Sequence, residues 1–366
     1  MKLLYLVPSV NNEGGVARVL ATKANYLVEK LGYEIHILTQ NNGNSPLFYS
    51  FNNEIVWHDM ILKGKKIKFF LNYKKELKKY CQEINPDVIV VADNGLKGYF
   101  VPILLGNEIP IIFESHGSKF LELKKRRYSF FSKLILSFQL FCKEFGGKKF
   151  TRFVVLSNES WSEWNLKNTV VIPNPLVLKT EDKATLQSKK VIAVARHSYE
   201  KGLDRLLILW QKVAIKYPDW ILEIYGSKSK EVDLKQLASD LGILNSVQFY
   251  KPVKNIEEKY LEASILVMTS RTEGFGMVLI EAMAFGLPVI AYDCPVGPGS
   301  IITNNVDGYL IENGNEEQFI EKLSALMENQ DLRKQLGQNG QKAVLRFDIE
   351  TIMNQWNTLF EEVKKQ

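Results

Sequence analysis

At 366 residues the chain is too long for one ordinary domain and suits two, and its 46% hydrophobic and 24% charged residues are those of a globular protein. A formal charge of +6, from 47 basic and 41 acidic side chains, is modest, so a basic partner surface has to come from local clustering. Three distant cysteines (Cys81, Cys142, Cys294) form no disulfide framework and fit a reducing compartment, and the four histidines (His36, His58, His116, His197) lack metal-ligand spacing, so no zinc site is expected.

The amino terminus, Met1 to Val7, is an apolar run broken at Pro8 and followed by polar Asn11-Asn12-Glu13. It reads as a first core strand rather than a secretory leader. No stretch approaches the roughly 20 uninterrupted apolar residues that span a bilayer. The expected location is therefore cytoplasmic.

Short apolar runs alternate with helical periodicity from end to end. The expected strands are Leu3–Val7, Glu34–Thr39, Asp87–Ala92, Pro110–Glu114 and Phe153–Leu156, then Val191–Ala195, Ile221–Tyr225, Val247–Tyr250, Leu266–Thr269 and Val289–Ala291. Helical patterns such as Val16–Leu31, Leu203–Tyr217 and Glu317–Glu328 fill the gaps. This alternation predicts an α/β chain of two Rossmann-like, doubly wound parallel-sheet domains. The join falls near Val171-Ile172-Pro173-Asn174-Pro175, which two prolines stiffen. The expected domains are 1–173 and 174–345. Residues 346–366 end in one amphipathic helix carrying Ile349, Ile352, Met353, Trp356, Leu359 and Phe360 on a common side.

In open parallel sheets ligands bind beyond the carboxyl ends of the strands, so the loops there are the candidate sites. The first runs from Pro8 to Gly15, where paired glycines at a helix start let backbone amides approach an anion or a sugar. A plain tight turn is the other reading, and the loop lacks the G-x-G-x-x-G dinucleotide fingerprint. The second holds His116, after an apolar strand and beside Gly117; it is either a group for a substrate hydroxyl or an incidental histidine. The third, Arg196 to Gly202, sets Arg196 at a strand end and Lys201 where the next helix begins. Two cations and a helix amino terminus suit a diphosphate and the charge that builds on it as it leaves, without a metal. The fourth runs from Ser270 to Ala291. Glu273 lies in a loop with Gly274 and Gly276, and Glu281 follows two turns later; carboxylates there can grip hydroxyls or steady a positively charged sugar-like transition state.

Here the chain resembles the retaining glycosyltransferases of family 4, which have the GT-B fold. The match rests on E-x7-E at Glu273 and Glu281 within E-G-F-G-x-x-x-x-E-A-M-A-x-G-x-P-V-I-A, and covers most of the chain, loosely over 40–150. The resemblance implies two domains facing across a cleft that holds the donor, with Glu273 on donor-sugar hydroxyls and Glu281 on the ribose. It implies Arg196 and Lys201 on the diphosphate, Gly15 in the glycine loop near donor and acceptor, and His116 near the transferred sugar. Gly274, Phe275 and Gly276 complete the donor loop, and the last helix crosses back onto the first domain. One departure stands out: where many relatives carry an acid before the Ile301-Ile302 pair, this chain has Gly299-Ser300. The run Cys294-Pro295-Val296-Gly297-Pro298 looks like that of bacterial enzymes building lipid-linked or surface polysaccharides.

A basic, aromatic-rich segment has two readings. Lys124-Lys125-Arg126-Arg127 precedes a helical pattern with Phe131, Leu134, Phe138, Phe141 and Phe145 on one side, and Lys133, Lys143, Lys148 and Lys149 nearby. It is either an amphipathic helix at an anionic bilayer, enlarged by the stretch Lys63-Gly64-Lys65-Lys66-Ile67-Lys68, or a core helix with a solvated basic edge. No recognised nucleic-acid module accompanies it.

The expected function is a metal-independent retaining transferase, with no cofactor beyond its nucleotide-sugar donor. It moves a hexose or N-acetylhexosamine, first of all from a UDP-sugar, to a hydroxyl of a growing, lipid-linked or other surface glycan at the inner face of the cytoplasmic membrane. The rivals are a sugar-nucleotide epimerase or hydrolase of the same architecture and a non-catalytic sugar-nucleotide-binding subunit of a polysaccharide assembly complex.

Overall fold

The computed structural model describes residues 1–43, 45–64, 67–106, 108–120, 130–178, 182–229 and 232–365, without the side chains of 67 and 130–133. The basic run 124–127 lies outside the described residues, as do Lys65 and Lys66 and the side chains of Phe131 and Lys133. The chain divides into two units, Met1–Pro175 with Ile349–Gln366 and Leu176–Asp348.

In unit 1 the order is β1 (Lys2–Leu6), α1 (Gly15–Leu31), β2 (Glu34–Gln40), β3 (Val56–Met60), α2 (Ile67–Ile84), β4 (Val88–Val91), α3 (Leu96–Tyr99), α4 (Val101–Leu105) and β5 (Ile111–Glu114). It continues with α5 (Phe130–Gly147), β6 (Arg152–Val155), α6 (Asn158–Trp164) and β7 (Thr169–Val171). The seven strands form one parallel sheet in the order β3-β2-β1-β4-β5-β6-β7. Strands such as Val88-Ile89-Val90-Val91 are apolar on both sides because both faces of the sheet are covered. Helix α1 packs on one face; α2, α3, α4 and α6 supply the core on the other.

Unit 2 follows with β8 (Lys190–Val194), α7 (Leu203–Lys216), β9 (Ile221–Tyr225), α8 (Leu234–Asp240), β10 (Val247–Tyr250), α9 (Ile256–Glu262) and β11 (Ile265–Met268). Then come α10 (Met277–Ala284), β12 (Val289–Asp293), α11 (Pro298–Ile301), β13 (Tyr309–Glu312), α12 (Glu316–Glu328) and α13 (Gln330–Ala343). Its six parallel strands run β10-β9-β8-β11-β12-β13 around Trp210, Leu222, Ile265 and Phe319. The last helix, α14 (Ile349–Lys364), returns to unit 1. Its Ile352, Met353, Trp356, Leu359, Phe360 and Val363 are all buried in the α1 face of that core.

Strand order reverses between β1 and β4 in unit 1 and between β8 and β11 in unit 2. Neighbouring loops leave these points in opposite directions, which opens a crevice at the carboxyl ends of the strands. Three strands are additional to those expected from periodicity: β3, β7 and β13. Each is a sheet edge, where one side meets solvent or a loop and no long apolar run is needed.

Helix α5 corrects the reading of a core helix with a solvated edge. It packs over α3 and α4 and leaves Leu134, Ile135, Phe138, Phe141 and Phe145 exposed, Phe138 at 65% and Phe141 at 63%. Lys143 instead is buried, its ammonium 5.7 Å from the Tyr99 ring, while Lys148 and Lys149 are exposed. Among the described residues no helix is long and apolar enough to cross a membrane.

Candidate functional site

The unit 2 switch point gathers Lys201, Ser270 and Glu273. Lys201 closes the turn after β8, and Glu273 lies in the loop after β11. Lys201 Nζ donates to both carboxylate oxygens of Glu273, at 2.7 and 2.8 Å, and Ser270 Oγ donates to Oε1 at 2.6 Å. The backbone N–H of Glu273 is held by the Pro295 carbonyl at 3.0 Å. Gly202 makes this approach feasible. Its φ is +62°, and a Cβ there would stand 2.0 Å from the Thr269 carbonyl oxygen, so a side chain would push the two loops apart.

Two arginines that motif reading passed over staple the same loops. Arg271 pairs with both oxygens of Asp204 at 2.6 and 2.7 Å, donates to the Tyr199 carbonyl at 2.8 Å, and stacks its guanidinium 4.0 Å from the Tyr199 ring centre. Burial alone would raise the Asp204 carboxyl, but the Arg271 charge holds it below the usual carboxylate range. Arg205 donates to the carbonyls of Thr269 and Ser270 at 2.5 and 2.7 Å. The turn carrying Lys201 and the loop carrying Glu273 are thereby fixed to one another by charge-assisted bonds.

The other expected donor residues sit differently. The Arg196 side chain is 57% exposed, with Nη2 3.4 Å from Glu200. Gly274 and Gly276 lead into α10, with Gly276 as its cap at φ +102°. The Phe275 ring is buried edge-on against Phe347, so this residue can offer a ligand its backbone and not its ring. Glu281 is buried on α10 and accepts from the Tyr260 hydroxyl at 2.9 Å. Ser300 donates to Gly297 O in the segment where the acid is missing.

In unit 1, Gly15 begins α1 and Gly14 caps it, with the Gly14 N–H donating to Asn12 Oδ1 at 2.9 Å. A Cβ on Gly15 would meet nothing within 4 Å, so the protein's own packing does not demand glycine there. His116 follows β5 with its side chain 6% exposed and Nε2 3.5 Å from Glu114 Oε1. Burial pushes its imidazole below the ordinary histidine range, the Glu114 charge pulls the other way, and Lys23 adds to the lowering. Lys23 and Glu114 were missed in the sequence, although a lysine among Leu20, Ala24 and Leu27 on the apolar side of α1 was the available signal.

Both halves of the chain match known families. Residues 13–180 match the model described as Glycosyltransferase Family 4, and residues 179–343 the model described as Glycosyl transferases group 1. An uncharacterized glycosyltransferase of Haemophilus influenzae is 29% identical over 97% of this chain and 98% of its own. The amylovoran biosynthesis glycosyltransferase AmsD of Erwinia amylovora is 27% identical over 98% and 99%. A Campylobacter jejuni alpha-1,4-N-acetyl-D-galactosaminyltransferase, named for an undecaprenol-diphosphate-linked glycan, is 25% identical over 100% and 99%. Among solved structures, sucrose-phosphate synthase of Thermosynechococcus elongatus superposes with TM-score 0.83 at 16% identity, over 99% of this chain and 98% of that one. Anabaena HepE, solved with UDP and glucose, superposes with TM-score 0.78 at 19% identity, over 99% of each chain. With one glycosyltransferase model matched in each half and two parallel-sheet units of this architecture, the chain is a GT-B glycosyltransferase.

Proposed function

We propose that the protein is a retaining glycosyltransferase that moves a hexose or N-acetylhexosamine from a UDP-sugar to a hydroxyl of a growing, lipid-linked surface glycan. Lys201, Glu273 and Ser270, joined within hydrogen-bond reach at the β8/β11 switch point, carry this assignment. Lys201, with Arg196, takes the charge of the leaving diphosphate, so the step has a cationic partner without a metal. Glu273 exchanges its bond to Lys201 for the donor-sugar hydroxyls, and Glu281 serves the ribose. The acceptor oxygen bonds to the anomeric carbon on the face from which the diphosphate departs, and its proton passes to the leaving phosphate oxygen. Unit 1 offers Gly15 and His116 to the sugar and acceptor hydroxyls. UDP-sugar chemistry is supported by HepE, solved with UDP and glucose, and a lipid-linked acceptor by the Campylobacter relative's name.

The test is UDP or GDP release from a panel of UDP-sugars and GDP-mannose, with and without a lipid-glycan acceptor fraction, for wild type and Glu273→Ala. Acceptor-dependent release from one donor, lost in the variant, is expected. Turnover of donor alone to an epimer or free sugar favours the rival enzymes; donor binding with no turnover favours a binding subunit.

The exposed apolar side of α5, with Lys148 and Lys149 at its end, is the surface assigned to the cytoplasmic face of an anionic membrane. Wild type is expected to float with phosphatidylglycerol-containing vesicles in a sucrose gradient and Phe138→Asp/Phe141→Asp to stay behind. Equal flotation of both would remove the assignment.

A further inference from the structure

Beneath the His116 loop lies a buried charge cluster that the transfer step above does not use. Lys23, 1% exposed, donates from Nζ to Glu114 Oε1 at 2.7 Å and stands 3.5 Å from the Trp356 ring centre. Glu114 is the last residue of β5, and the same Oε1 stands 3.5 Å from His116 Nε2. On β1 the Tyr5 hydroxyl is buried without a hydrogen-bond partner among the described residues, and burial, with the Glu114 charge second to it, raises its pKa. Apolar side chains of similar volume often stabilise a core as well as a buried lysine–carboxylate pair does. Its position, with the carboxylate turned to a loop histidine at the carboxyl end of the sheet, therefore calls for another role.

We propose that Lys23 is a positioning residue for His116: it pins the Glu114 carboxylate and so fixes which ring nitrogen carries the proton and keeps the ring uncharged. With the Nε2 proton toward the carboxylate, Nδ1 is left as the acceptor for a sugar hydroxyl. Among the described residues the charged groups acting on His116 are Glu114 from β5 and Lys23 from α1, and the Glu114 charge also acts on Tyr5 of β1; Asp93, in the loop after β4, is matched by Lys97 at 2.8 Å. Burial would raise Glu114, but the charge and hydrogen bond of Lys23 hold it below its ordinary range, so it faces the ring as a carboxylate. This device rests on the assignment of His116 to sugar hydroxyls.

Its test reads the imidazole directly. His116 is titrated by NMR in histidine-labelled full-length protein, its signal identified by its loss in His116→Gln. Wild type, Lys23→Met, Lys23→Arg and Glu114→Gln are compared. Removing the lysine charge is expected to raise the His116 midpoint, and removing the carboxylate to lower it. Lys23→Arg is expected to titrate like wild type. The acidic limb of the kcat profile should move with the midpoint in each variant. A folded Lys23→Met with an unmoved midpoint, or both charge-removing variants shifting the same way, overturns the proposal. If Lys23→Met does not fold, Glu114→Gln decides alone: a lowered midpoint supports the device and an unmoved one overturns it. Should no donor be turned over, the transferase reading fails, and the NMR titration still judges Lys23.

Discussion

Lys201→Met is expected to lower kcat on the accepted donor by ~10²–10³-fold, the usual loss when one preorganised group facing developing charge is removed. Lys201 is the cation bonded to Glu273 by both carboxylate oxygens, and Glu273 is nearly buried. Methionine keeps much of the stem and removes the charge at both stages. It leaves Glu273 its hydrogen bond from Ser270, and in the proposed mechanism it removes a cation that faces the leaving diphosphate. Single-turnover nucleotide release at saturating donor separates this loss from weaker binding. Activity within about threefold of wild type would remove Lys201 from the transfer step.

Trp356→Ala is expected to destabilise unit 1 by ~3–5 kcal/mol, the range for deleting a large buried aromatic side chain. The indole is 1% exposed, packs on Phe360, and lies under the Lys23 ammonium. Truncation therefore opens a cavity beside a buried cation. Trp356→Phe fills most of the space and should lose far less. Urea unfolding followed by unit 1 signals reads the difference; a loss under about 1 kcal/mol for the alanine variant would mean that α14 is peripheral to that core.

The central strands and the longer helices were legible because burial on both sides leaves runs such as Ile111-Ile112-Phe113 or Val289-Ile290-Ala291 that are hard to mistake. The three strands absent from that reading sit at sheet edges. Of these, β3 exposes Val56 and Trp57 and ends in His58-Asp59-Met60, so its pattern is neither apolar throughout nor alternating. The loops of Lys201 and Glu273 were legible through their glycines and their place after strands. The Arg271–Asp204 pair was not, because residues 67 positions apart become neighbours only once β8 and β11 pair. Helix α5 shows another limit. Apolar residues lie around most of its circumference, and periodicity does not tell which side meets α3 and α4. Lys23 was passed over because a lysine is ordinarily a solvated residue, and its burial depends on a carboxylate 91 positions away and an indole on the last helix.

The return of α14 to unit 1 also orders the events of synthesis. Unit 2 is contiguous, Leu176–Asp348, and leaves the ribosome as one uninterrupted stretch. Unit 1 surrounds it in the chain, and the helix that buries Ile352, Met353 and Trp356 against α1 is translated after unit 2. For the whole time that unit 2 is being made, the amino-terminal sheet stands with that apolar groove uncovered. The earlier-made unit is thus the later one to be finished, and it is the one whose apolar surface is exposed while it waits.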